Sequence, residues 1–195
     1  GQAMIDGSYI YLLTCDPETF GQGHLYLGRL SVSDWSYTER CISTYDIYDR
    51  DPAGGEKLQA DAASKIIYHN GWVYYSREGI EAKIRKNDPG PDKRYSYEIC
   101  RVRFDTGEQQ TVFSASDMGA AVKGNWTVHG NRLLMLAGQT LYMTDLSGSG
   151  SLLQVQIPQA GLRLMGCNGE WIYFCDGNGI GVSKIKFDLT GYSEF

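Results

Sequence analysis

The chain has 195 residues, 42% of them hydrophobic, with 24 glycines and 14 tyrosines, and its 23 acidic against 18 basic side chains give a net charge of −5. That length buries one sizeable core, while the acidic balance and the lack of a long basic run exclude a phosphate-neutralising surface, so no nucleic acid partner is expected. No apolar run approaches the roughly 18–20 residues needed to cross a bilayer as a helix, and no Cys-x-x-Cys pair or Cys/His cluster points to structural zinc.

Taken along the chain, the residues predict one pair of strands four times. Asp6-Gly7-Ser8 leads into Tyr9-Ile10-Tyr11-Leu12, followed by Leu25-Tyr26-Leu27-Gly28 and a further strand at 37–42. Asn70-Gly71 leads into Trp72-Val73-Tyr74-Tyr75, followed by Ile99-Cys100-Arg101-Val102 and a strand at 110–113. Gly130-Asn131 leads into Arg132-Leu133-Leu134-Met135, followed by Leu141-Tyr142-Met143-Thr144 and a strand at 152–157. Asn168-Gly169 leads into Trp171-Ile172-Tyr173-Phe174, followed by Val182-Ser183-Lys184-Ile185 and a short strand at 192–195. Asn70-Gly71 and Asn168-Gly169 are read as type I′ hairpin dipeptides, which need positive φ at both central residues. Asp105-Thr106-Gly107-Glu108, Ser147-Gly148-Ser149-Gly150 and Asp188-Leu189-Thr190-Gly191 make the later turns.

A repeat of about 40 residues holding several short strands is the mark of propeller blades. The expected fold is all-β: a single β-propeller domain over 1–195, built of four antiparallel four-stranded blades. The blades fall at about 3–43, 62–114, 125–158 and 162–195, in a ring complete in itself or part of a larger propeller. The aliphatic column Ile10, Val73, Leu133 and Ile172 is expected to pack between blades.

In a meander the Gly turns lie at one end, and every insertion in this chain falls at the other. The swollen segments are 14–24, 44–64 and 76–98, read as loops that share one surface. Long loops on a rigid scaffold carry function more often than the scaffold does. The second segment holds Tyr45, Tyr48, Asp49, Arg50 and Asp51, and the third holds Arg77, Lys83, Arg85 and Lys86. Aromatic and arginine side chains are favoured at binding surfaces, so these nine are the candidate ligand-binding residues. The plain alternative is two solvated charged loops.

The strings Leu141-Tyr142-Met143-Thr144-Asp145-Leu146-Ser147-Gly148, Trp72-Val73-Tyr74-Tyr75-Ser76 and Trp171-Ile172-Tyr173-Phe174 resemble the YWTD-type repeats of lipoprotein-receptor ectodomains. They are similar also to TolB-type repeats and closest to bacterial propeller repeats of unassigned function. The resemblance covers nearly the whole chain and implies a protein- or peptide-binding platform, often outside the cytoplasm, with no transferable catalytic residue. Receptor propellers of this type have six blades, whereas four are visible here.

No catalytic residue, cofactor or metal is expected. Of three histidines, His69 and His129 fall at equivalent places just before a turn, which gives them a repeat-structural role, and His24 stands apart. No Gly-x-Ser-x-Gly elbow occurs. Ser114-Ala115-Ser116-Asp117-Met118-Gly119 misplaces the serine of a sialidase-type Asp-box. Asp46, Asp49, Asp51 and Glu56 supply hard oxygens, but not at the spacing of an EF-hand. With five cysteines at least one is unpaired unless another chain joins it. A two-residue turn at Asn168-Gly169 sets Cys167 opposite Glu170, away from Cys175, so both are expected free; Cys100 reads as a buried hydrophobe, and a bridge between Cys15 and Cys41 stays open. Gly1-Gln2-Ala3-Met4 shows no signal-peptide start.

The function expected is a non-enzymatic binding module for a protein, peptide or glycan, placed outside the cytoplasm or at the cell surface. The rivals are a propeller hydrolase acting on glycan or peptide at the same face, and a structural fragment completing a larger propeller. Open blade edges leave a homo-oligomer as a further expectation.

Overall fold

The computed structural model describes residues 3–16, 22–46, 49–50, 56–84, 92–115, 124–147 and 150–194, with side chains over 3–14, 23–44, 65–77, 97–114, 124–147 and 150–194. Among the described residues there are seventeen strands and no helix, hence no helix long and apolar enough to cross a membrane. Within each of four sheets every strand pairs antiparallel with its neighbour in sequence, giving four successive meanders. The first sheet is β1 (Ala3–Asp6), β2 (Tyr9–Asp16), β3 (Gln22–Ser31) and β4 (Tyr37–Asp46). The second is β5 (Asp49–Arg50), β6 (Glu56–His69), β7 (Trp72–Ile84), β8 (Asp92–Val102) and β9 (Gln109–Ala115). The third is β10 (Trp126–His129), β11 (Arg132–Ala137), β12 (Thr140–Asp145) and β13 (Leu153–Gln156). The fourth is β14 (Arg163–Cys167), β15 (Trp171–Cys175), β16 (Val182–Lys186) and β17 (Ser193–Glu194).

This is the blade pattern of a β-propeller, one meander per predicted repeat. One sheet departs from the expected four strands: β6 runs back to Glu56 and there picks up the two-residue β5 at its edge. The chain divides into two compact units, Gly1–Gly119 with the first two sheets and Ala120–Phe195 with the last two.

Within the first unit, alternation sends Tyr11 and Leu13 to one face of β2, joined there by Leu25, Leu27 and Ile42. We call this the forward face, since it meets the next sheet in the chain. The rear face of the second sheet answers it with Ile66, Val73, Tyr75, Cys100 and Val102. Polar clasps edge the core. Arg29 lies between the rings of Tyr9 and Phe104 and pairs with Asp105 at 2.6 Å. Arg40 donates to the carbonyls of Phe104 at 2.9 Å and Asp105 at 3.3 Å, closing over the turn where Gly107 takes φ +75°.

Within the second unit the same arrangement recurs. Leu134, Leu136, Leu141 and Met143 on the forward face of the third sheet pack against Leu164, Ile172, Phe174 and Ile185 on the rear face of the fourth. The predicted column occupies equivalent register positions: Val73, Leu133 and Ile172 are buried, but Ile10 is only half-buried. Ile10 sits on the rear face of the first sheet, while the core of its unit lies on the forward face.

The second hairpin turns as expected, with Asn70 at φ +51° and Gly71 at +78°. The fourth does not. Asn168 keeps an ordinary φ and instead accepts hydrogen bonds at its side-chain oxygen from the amides of Glu170 and Trp171. The tight turn therefore slips one residue onward, and Cys167 faces Ile172 rather than Glu170. Cys175 faces Arg163, so Cys167 and Cys175 are both free, as are Cys41 and Cys100. The side chain of Cys15 lies outside the described residues.

Thiolate availability sets alkylation rate. Without reductant, exposed Cys41 should be labelled first and Cys167 slowly, because burial lifts its thiol to about 11. Cys100, buried and pushed up by that burial, should label only on unfolding. Mass spectrometry of timed samples reads the order, and a Cys167–Cys175 link would contradict the register.

The turns between third and fourth strands share a cap written as Asp-x-Ser or Asp-x-Thr. The amide and hydroxyl of Ser36 donate to Asp34, those of Ser147 to Asp145 and those of Thr190 to Asp188. The Ser31 hydroxyl together with Ser36 holds the Asp34 carboxyl down to about 2, and Asp145 and Asp188 are lowered by their hydroxyl partners. A carboxylate lowered on folding stabilises the fold above its ordinary value of 3.8 and loses that contribution as pH falls through the depressed value. Thermal midpoints should thus begin to drop only below roughly pH 4, and Asp34→Asn should flatten part of that drop.

Candidate functional site

Three strands of the second sheet are far longer than their counterparts in the third. β6 has 14 residues, β7 has 13 and β8 has 11, against 4 to 6 in β10 to β12. The excess lies at the end opposite the Gly turns. The segments expected there as loops are therefore strand for most of their length: β7 continues to Ile84, β8 begins at Asp92, β6 begins at Glu56, and β2 and β3 extend to Asp16 and from Gln22. Together β6, β7 and β8 make a projecting leaf.

Bulges mark its root. The register shifts between Ala63 and Ile66 on β6 and at Val112 on β9, opposite Ile99 and Cys100, with a third shift at Ile42 on β4. A bulge bends a strand and adds twist, so the leaf leaves the packed body at this level. Arg77 stands at the root, half-buried. Its guanidinium pairs with Glu98 and donates to the Ser43 hydroxyl at 3.0 Å, tying the second sheet to the first. Beside it is a recess of about 140 Å³ reached by Tyr75, Arg77, Cys100 and Thr111. Burial raises the Tyr75 phenol and lowers the Lys65 ammonium.

Above the root the backbone register brings several candidate positions together. Asp49 pairs with Lys57, Lys57 with Lys83 and Lys83 with Asp92, a row of four positions across four strands. Two lysine positions that would repel as neighbours are flanked by an aspartate position on each side, the order that favours pairing. Arg50 pairs with Glu56 in the adjacent row. Tyr45 lies near the end of β4, opposite Gly23. Thus Asp49, Arg50 and Lys83 share the leaf, Arg77 holds its base and Tyr45 belongs to the first sheet. Tyr48, Asp51, Arg85 and Lys86 lie outside the described residues.

A second recess, of about 220 Å³, was not foreseen. It opens at the Gly-turn end of the first sheet between Tyr9, Arg29, Ser31, Asp34, Ser36 and Thr38. The run Ser31-Val32-Ser33-Asp34-Trp35-Ser36 is hydroxyl-rich, the one local signal for it. Trp35 there is 70% exposed and holds φ +59°, a left-handed conformation uncommon for a bulky residue.

His69 and His129 occupy the equivalent positions expected of them, opposite Trp72 and Arg132. His69 bonds the Asn70 amide at 3.0 Å, and His129 stands edge-on to Phe187. Among the described residues no three His, Cys, Asp or Glu side chains form a group able to hold a metal. No protein-family model and no curated protein sequence matches this chain.

Proposed function

We propose that this protein is a non-enzymatic binding module whose leaf, carried by β6, β7 and β8, receives a protein, peptide or glycan. The supporting observation is the leaf itself: strands of 14, 13 and 11 residues where the third sheet has 4, 6 and 6, rooted in a packed and clasped body. Rigid presentation lowers the ordering cost of binding, and the charged rows that include Asp49, Arg50 and Lys83 supply polar specificity. Tyr45, Tyr48, Asp51, Arg77, Arg85 and Lys86 belong to the same proposed face. Kinship with YWTD- and TolB-type repeats and a place outside the cytoplasm are part of this reading. Screening the chain against arrayed peptides and glycans, beside a variant with the leaf cut away, tests it. Equal binding by both would overturn it.

A further inference from the structure

Sheets in each unit stack by one rule. The forward face of a sheet meets the rear face of the next, and an apolar residue just after the third strand of that next sheet reaches back. In the first unit this residue is Phe104, over which Arg29 lies at 4.2 Å. In the second it is Phe187, whose ring centroid is 5.7 Å from that of His129 in the third sheet. Val32 and Leu146 hold the same place: their amides, like that of Phe187, donate to the turn before the second strand of their own sheet.

On three of the four forward faces an aromatic ring stands directly opposite a cation, while the third sheet has Leu134 opposite Met143. Tyr11 faces Arg29, Tyr74 faces Arg101 and Tyr173 faces Lys184. In the fourth sheet Trp171 also faces Lys186, and Lys184 Nζ lies 4.1 Å from the Trp171 ring. This sheet therefore presents the kind of aromatic-cation pair with which the first sheet receives Phe104.

The rear face of the first sheet is the matching kind. It carries Ile5, Ile10, Leu30 and Tyr37 in adjacent register, with Val32 at the turn. Phe104 and Leu146 are buried, yet Val32 is 41% exposed, Tyr37 47% and Ile5 71%. Charges complement as well: Glu39, which accepts a hydrogen bond from the Tyr37 hydroxyl at 3.1 Å, stands on this face, while Lys184 and Lys186 stand on the other.

We propose that the two faces form one joint between copies of this chain, the Trp171, Tyr173, Lys184 and Lys186 face of a second copy docking on Ile5, Ile10, Leu30 and Tyr37. Val32 then takes the place of Phe104, and the lysines meet Glu39 as Arg29 meets Asp105. The joint is heterologous, so association propagates head to tail or closes into a ring.

Sedimentation velocity over a concentration series tests this on the full chain, on Ile5→Glu, on Trp171→Glu and on their equimolar mixture. The unaltered chain should gain mass with concentration, and each variant should stay at the mass of one chain. The mixture should yield a two-chain species and nothing larger, because one intact face of each kind remains. If circular dichroism shows Trp171→Glu unfolded, the double variant Lys184→Glu, Lys186→Glu replaces it, with the same expected loss and rescue. One-chain mass for the unaltered protein at every concentration would overturn the joint. So would a mixture that stays monomeric, since a symmetric contact has no such rescue.

Discussion

Phe174→Ala should lower stability by about 3–5 kcal/mol, the usual cost of emptying a buried phenylalanine site. The ring is fully buried, opposite Leu164 on one side and Ser183 on the other, within the apolar layer between the last two sheets. A domain holds only about 5–15 kcal/mol in all, so the urea midpoint should fall sharply. Ile10→Ala is the control, because Ile10 matches Ile172 in register yet lies half-buried on the rear face of its sheet. Its midpoint should move far less. Equal losses would mean that forward and rear faces have been assigned wrongly.

Cutting the leaf should do the opposite, removing binding while sparing the fold. Gly79 and Ser96 are directly paired, so Asn-Gly can replace residues 80–95 as a two-residue hairpin turn. The variant loses Lys83, Arg85 and Lys86 but keeps Arg77, Glu98 and the buried Tyr97. Backbone pairs lost above the bulge are pairs within the leaf, and residues 56–60 become connecting chain. The closing entropy of that connection changes by only about 0.6 kcal/mol per doubling of length. The melting temperature should therefore stay nearly unchanged while binding to any array hit disappears. A variant that melts early would show that the leaf supports the body, and one that still binds would place the site elsewhere.

Four repeats, their turns and their strand order were legible because each signal is local. A Gly turn and an alternating strand each act within a few residues. The leaf was read as loops although its pattern is present: Leu58, Ala60 and Ala62 alternate with polar residues, as do Ile80, Ala82 and Ile84. Alanines and dense charge made that period of two faint, and the pairing of Ala60 with Ile80 and of Ile80 with Tyr95 restores it only once the strands are side by side. The clasps could not be read at all. Arg40 reaches a carbonyl 64 residues away and Arg29 a carboxylate 76 residues away. Arg77, singled out in the sequence for its charge, binds Ser43 and Glu98. The slipped fourth hairpin shows a finer limit: Asn168 acts through its side chain, where the dipeptide Asn-Gly suggested that it would act through its backbone.

The bulges at the root of the leaf also bear on how such a protein can change. A residue added to a regular strand turns every later side chain to the opposite side. A bulge absorbs that shift locally, and here bulges sit on β6 and β9, the two strands that flank the β7–β8 hairpin, so those strands can gain or lose residues above the root without turning Ile66 or Thr111 away from Tyr75 and Cys100. The body is thus insulated from its own appendage, and across descendants of one ancestral gene the two should diverge at different rates, the leaf quickly and the layer beneath it slowly.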